Sequence, residues 1–221
     1  MISLDCSRPT PPHCDLRAAA DRSWVDLSMY SNLEFDPGRG VLVRFVWYFV
    51  SLLVFESGWV PTSRPKRWLL RLFGARIGQG LVIKPHVRIK YPWRLQTGDH
   101  CWIGQEAWID NLAEVCLGSH VCLSQRAYVC TGGHDYQKST FDLTTKPVSI
   151  ENGAWVGAAS LVMGGVRIGA NSLVAAGSIV TGDVQPATIV AGIPARTIGR
   201  RRPPADAQQS ATSSVHNDRA A

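Results

Sequence analysis

The stretch CTGGHDYQKSTF, residues 130–141, places a histidine, His134, directly after Gly132 and Gly133. An imidazole can take a proton from a hydroxyl and give it back near pH 7 without a large pKa shift, so a single well-placed histidine suffices for proton-transfer chemistry. The other reactive residue types form no comparable set. The six cysteines, Cys6, Cys14, Cys101, Cys116, Cys122 and Cys130, include no CxxC pair and read as reduced thiols, four of them as small buried hydrophobes within a regular array. There is no phosphate-binding glycine loop, dinucleotide fingerprint or GxSxG elbow, so covalent catalysis through a serine has no support.

What must position His134 is a repeat. From Ile77 onward an aliphatic residue recurs every six positions, often followed by Gly and with a small residue four places on. The register runs Ile77, Ile83, Ile89; then Thr97, Ile103, Ile109; then Leu117, Leu123, Val129; then Ile150, Val156, Val162; then Ile168, Val174, Val180. Neither a helix nor a sandwich has a six-residue period. One short strand plus one turn does, and three such units carry the chain once around a triangular prism. The spacing therefore predicts five stacked coils with the aliphatic position inside, and with Ala107, Ala127, Ala154, Ser160, Ser172 and Ser178 small because they fit corners. Gly is expected to supply turn geometry. Leu81, Val87, Trp93 and Val184 depart from the small-corner rule, and the first coil is the least regular.

Residues 135–149 (DYQKSTFDLTTKPVS) leave the register between the third and fourth coils. Insertions in a solenoid become surface loops, and a long loop in a compact array is more often functional than accidental. His134 sits at the root of this excursion.

Length and composition fit one main domain: 221 residues, 45% hydrophobic, 18% charged. The net charge of +6 is uneven, because no Asp or Glu occurs between Ser57 and Gly98 while nine Lys and Arg do. This belt follows the most apolar segment, VLVRFVWYFVSLLVFESGWV (41–60), whose charge-free part, Phe45 to Phe55, is shorter than the roughly 20 residues of a spanning helix. A helix carrying Phe45, Trp47, Tyr48, Phe49, Phe55 and Trp59 suits a membrane interface, or equally a face packed on protein; both readings stand. The start of the chain lacks the regions of a signal peptide, so a cytoplasmic location is expected, with peripheral membrane contact through residues 41–76.

With LLRLFGARIG, TGDHCWIG, TGGHDY, KPVSIENGAWVGAAS and VAGIPAR, the chain from about Arg71 to Arg201 resembles the hexapeptide-repeat acyltransferases of the left-handed parallel β-helix class. Within them it most resembles the acetyltransferases of colanic-acid-type exopolysaccharide biosynthesis. The resemblance implies an all-β fold, a left-handed parallel β-helix of about five coils with an N-terminal apolar helix and an excursion loop. It implies acetyl transfer from acetyl-CoA to a sugar hydroxyl, with His134 as general base. Asp110 and Asn111 of WIDNL would hold the acceptor, with Trp155 near the cleft. The pantetheine arm would lie beside Ala159, Ser160 and Gly177. Many relatives carry a Lys where this chain has Gly182, so CoA phosphate contact would pass to Arg196 or to Arg200–Arg202.

Family members are trimers with sites between subunits, so a homotrimer is expected, its acceptor a sugar or lipid-linked glycan; no nucleic acid is expected as a partner. No metal is expected either: hexapeptide carbonic anhydrases need a close H-x4-H pair, which is absent, and His100 and His120 should simply stack at one solvent-facing corner. The expected organisation is an extension (1–36), an apolar and basic helical segment (37–76), the β-helix (77–199) and a mobile tail (200–221). Acylation of an amino sugar and a non-catalytic scaffold are the rival functions; the first often lacks the loop and the second would not need TGGHDY.

Overall fold

The computed structural model describes residues 23–33 and 35–205. Cys6 and Cys14, and most of the two ends expected to be mobile, lie outside the described residues. The chain forms two compact units, one made of its N-terminal part with His134–Leu143, the other of Phe35–Gly133 with residues from Thr144 onward.

In the larger unit the six-residue period becomes strands of two or three residues stacked in parallel on three faces. On the first face Ile77, Thr97, Leu117, Ile150 and Ile168 stand in register, on the second Ile83, Ile103, Leu123, Val156 and Val174, on the third Ile89, Ile109, Val129, Val162 and Val180. All but the end residue Ile77 are buried. A single coil cannot enclose these side chains; stacking makes one continuous core. The architecture is a left-handed parallel β-helix.

Two details differ from the sequence-based expectation, and a third explains a departure already visible in the sequence. First, the stack does not end at Val180. Val184 is not an irregular corner but an inward residue bridged to Ile168, and Val190, in the strand Thr188–Gly192, pairs with Val174, so a partial sixth turn follows. The strand Ala195–Arg200 folds back antiparallel on it. Second, the glycine after the inward residue serves stacking more than turning. A Cβ on Gly98 would stand 2.6 Å from the Ser119 nitrogen of the next coil, and one on Gly157 2.6 Å from the Ala176 nitrogen. The turn falls two residues later, where His100, His120, Ala159 and Gly177 take φ of +55°, +59°, +54° and +72°. Third, large Leu81 and Val87 are tolerated at first-coil corners because both are buried at the end of the stack that helices cover.

Two helices, α1 (Val41–Val50) and α2 (Ser63–Leu72), do that covering; α1 runs on into a wider, π-wound turn at Ser51–Glu56. Part of the basic belt caps the first coil's carbonyls. Lys66 Nζ donates to Lys84 O at 3.1 Å, Arg67 to Leu81 O at 3.0 Å, and Arg71 to Ile77 O and Gly78 O. Burial holds the Lys66 ammonium below its ordinary pKa. One side of α1 packs inward, with Trp47 buried against Phe55 and Phe73 and its Nε1 donating to Ile89 O at 3.0 Å. The other side leaves Leu42, Phe45, Val46, Phe49 and Leu53 exposed at helical spacing. The packed reading thus holds for one side of the segment, and the other side is apolar and exposed. Trp59 falls beyond the helix, in the following turn. Among the described residues no helix is long and apolar enough to cross a membrane.

Candidate active site

His134 closes the strand Gly132–His134, which pairs with Leu143–Thr145 as a two-stranded ribbon. Within the smaller unit its ring is held on three sides. Nδ1 lies 2.9 Å from the Phe141 carbonyl oxygen, the Phe141 ring stacks on the imidazole at 4.3 Å between centroids and 7°, and Tyr30 meets it edge-on at 5.7 Å. A carbonyl only accepts, so Nδ1 carries the hydrogen and Nε2 of the neutral ring carries the lone pair. The loop is closed by Asp135 N–H donating to Asp142 O and Phe141 N–H to Lys138 O, and the N-terminal segment docks on it through Asp26 N–H to Ser139 O at 2.9 Å. A side chain accepting proton at Nε2, with the tautomer fixed from behind, is the arrangement a general base needs.

In the larger unit, Asp110 ends a third-face strand, Trp108–Asp110. Its Oδ2 lies 3.3 Å from the Tyr128 hydroxyl, and Lys90 Nζ stands 3.2 Å from Oδ1 as an ion pair without hydrogen-bond geometry, so Oδ1 has no hydrogen bond from the protein. Burial, then the Cys130 thiol and the Asp110 carboxylate, push the Tyr128 phenol far above its ordinary pKa, so it stays a donor. Asn111 is fully buried: its Oδ1 accepts from Tyr91 N at 2.9 Å and its Nδ2 donates to Tyr91 O at 2.6 Å. That clasp holds a coil corner. Trp155, half-exposed on the second face, donates through Nε1 to Ser124 Oγ at 2.8 Å.

Ala159 and Gly177 stack at one corner of the fourth and fifth coils, while Ser160 points inward, its Oγ donating to Ala175 O at 2.9 Å. The N–H groups of Ala159 and Gly177 donate to Gln125 O and Ala158 O, so these two donors are already engaged within the stack. A Cβ on Gly177 would meet nothing within 4 Å, which leaves room for the pantetheine arm expected there. Arg196 is exposed, Arg200 too, whereas the Arg201 guanidinium donates to Gly153 O at 3.0 Å and so braces the last turn.

His100 and His120 stack at 5.4 Å and 20°, exposed at one corner, as their spacing requires. Among the described residues no three His, Cys, Asp or Glu side chains converge. Phe141 and Tyr30 around the imidazole, and Tyr128 and Lys90 around Asp110, were not singled out by sequence. Tyr128 and Lys90 carry a signal, since each adjoins an inward residue of the register; Tyr30 lies in a stretch with no period and carries none.

Residues 147–182 match the family of bacterial transferase hexapeptide repeats. The chain is 36% identical over 179 residues to WcaF of Escherichia coli (strain K12), whose name assigns it to colanic acid biosynthesis as an acetyltransferase; the match covers 80% of this chain and 97% of that protein. It is 28% identical over 142 residues to the galactoside O-acetyltransferase of the same organism, covering 62% of this chain and 70% of the relative. Among solved structures, the hexapeptide-repeat acetyltransferase VCA0836 of Vibrio cholerae O1 biovar eltor, complexed with acetyl coenzyme A, superposes with a TM-score of 0.66 at 27% identity, over 73% of this chain and 88% of that one.

Proposed function

The chain belongs to the hexapeptide-repeat acetyltransferases, and from that membership we propose that it moves acetyl from acetyl-CoA to a sugar hydroxyl of an exopolysaccharide precursor, with His134 as general base. The observation that carries the proton chemistry is the 2.9 Å contact from His134 Nδ1 to the Phe141 carbonyl, because it reserves Nε2 for the substrate. His134 Nε2 takes the hydroxyl proton as the acceptor oxygen bonds to the thioester carbonyl carbon. It then returns that proton to sulfur as the carbon–sulfur bond breaks, so ester and free thiol leave and the ring is neutral again.

On this reading Asp110, with its Oδ2 beside the Tyr128 hydroxyl, and Trp155 hold the acceptor, and Asn111 fixes the corner on which Asp110 stands. The pantetheine arm lies beside Ala159 and Gly177 and Arg196 meets a CoA phosphate, Ser160 supporting the corner from inside. A homotrimer is supported by the character of the faces. The first presents Arg76, Gln96, Ser149 and Arg167 outward. The second presents Trp102, Cys122, Trp155 and Leu173, and the third, beyond the coils that α1 covers, Leu161 and Ile179, surfaces suited to burial against other copies. The exposed stripe of α1 beside a belt without acids supports contact with the inner face of the cytoplasmic membrane.

The test is thiol release from acetyl-CoA with sugars, nucleotide sugars and lipid-linked oligosaccharides as acceptors. A positioned base supplies about 10²–10⁴-fold, so His134→Ala should lose that much turnover. Wild-type turnover in that variant would overturn the mechanism, and acetylated amines in place of esters would overturn the acceptor.

A further inference from the structure

Between α1 and the third face of the first two coils lies a cavity of about 310 Å³, at the lower end of small-ligand pockets (about 300–1,000 Å³). Its walls bring three cations together, Arg44 from the helix, Arg88 from the strand that follows Val87 and Lys90 from the bend just after it, against one lining carboxylate, Glu56. Glu56 is already engaged: Oε1 accepts from Ser51 Oγ at 3.0 Å and Oε2 lies 3.4 Å from Arg88 Nε. Lys90 is balanced by Asp110. Arg44, half-buried, is the exception: it lines the cavity and its guanidinium makes no ion pair or side-chain hydrogen bond with the described residues. A guanidinium without a counter-charge at a cavity wall is where an anion gains most.

The remaining walls are aromatic and stiff. Trp108 stacks on Tyr128 at 4.5 Å, and Tyr91 on Trp93 at 5.0 Å. Such walls suit a ring or a hydrocarbon next to the charge. We propose that this cavity binds a phosphate group, with Arg44 as its main contact and Arg88 and Lys90 completing the positive field. Guanidinium geometry favours phosphate oxygens, and cations approaching from a helix and from a strand match an anion with several oxygens better than a single carboxylate. That this phosphate is the one by which the acceptor sugar is linked to its carrier rests on the reaction proposed above; the anion site itself does not.

Calorimetric titration of the full chain with inorganic pyrophosphate tests the site. One site per chain is expected, weakened about tenfold or more by Arg44→Gln, a factor equivalent to the loss of one charge-assisted hydrogen bond. Arg44→Lys should recover part of that loss. Arg88→Gln, on the opposite wall, should also weaken binding while its thermal midpoint stays close to wild type. No binding to the wild type, or equal binding to Arg44→Gln, would overturn the proposal. Two competitors name the source: a polyprenyl phosphate in phosphatidylcholine vesicles, or a soluble nucleoside-diphosphate sugar. Displacement of pyrophosphate by either supports the site. If pyrophosphate binds as described but no phosphate-linked sugar is acetylated, the reaction reading fails and the site stands. If wild type and Arg44→Gln acetylate such sugars equally, the link to the acceptor fails and the reaction stands.

Discussion

Phe141 grips His134 twice, through a carbonyl oxygen 2.9 Å from Nδ1 and through a ring that lies 7° from parallel with the imidazole. It does so with φ of +53°, a region that bulky side chains rarely occupy and that tends to persist where function demands it. Phe141→Ala keeps the carbonyl and removes the ring. A stacked aromatic pair is worth about 0.5–1.5 kcal/mol, so kcat should fall roughly 2- to 12-fold with the KM for acetyl-CoA little changed. A drop as deep as that of His134→Ala would mean that the ring does more than orient the base.

The coil-to-coil contact at Gly98 predicts an asymmetry among glycines. Gly98→Ala forces a methyl against the Ser119 backbone and should lower the free energy of unfolding by about 1–3 kcal/mol. Gly177→Ala has open space but a left-handed φ, and should cost about 1–2 kcal/mol for that reason alone. Urea unfolding of both variants checks the ranking; no loss at Gly98 would show that the coils can spread.

Gly182 is exposed, lies outside the left-handed region, and would place a Cβ within 4 Å of nothing. Gly182→Lys should therefore fold as the wild type does and bind CoA more tightly, by about two- to fivefold for one exposed ion pair. Titration with CoA and with dephospho-CoA measures the gain. An unchanged affinity for both would place the phosphates elsewhere, at Arg196 or Arg200.

Cys101 is buried, and its Sγ lies 2.9 Å from Gly118 O. Burial first, then the negative charge of Asp99, push its thiol above the ordinary value of 9.0. The folded chain thus keeps a proton that the unfolded chain releases above that value. Its contribution to stability is complete at neutral pH and declines as the pH rises through 9.0 and beyond. Unfolding midpoints measured across that range should slope downward, and less steeply in Cys101→Ala. An equal slope in both would assign the alkaline loss to other groups.

The prism was legible because one physical demand, an apolar side chain every six residues, repeats without exception in type except at Thr97, whose hydroxyl is in fact buried without a partner. The end of the stack was not legible. Val184 follows Val180 by four residues rather than six, and the inward role shows only once Ile168 is seen beside it. The role of Gly98 was hidden for a related reason, since its constraint comes from Ser119, one coil away, and not from its own φ. At the site, His134 stood out because it interrupts a pattern. Tyr30 and Phe141 break no pattern, and their placement depends on how the N-terminal segment and the loop meet within the smaller unit. The basic belt was visible as charge, but the use of Lys66 and Arg71 as caps for bare carbonyls at the first coil depends on helix α2 lying over that end.

In-register stacking also governs how this molecule can change over time. A duplicated turn would slot in as another storey, but one inserted residue on a face would swing the next Ile or Val from the interior to water, and has to be expelled at a corner. Heritable variation is thereby channelled outward into side excursions, and one of these begins at His134. On the proposed function, the portion most open to evolutionary tinkering is also the portion that carries the base, while the stacked storeys hold still.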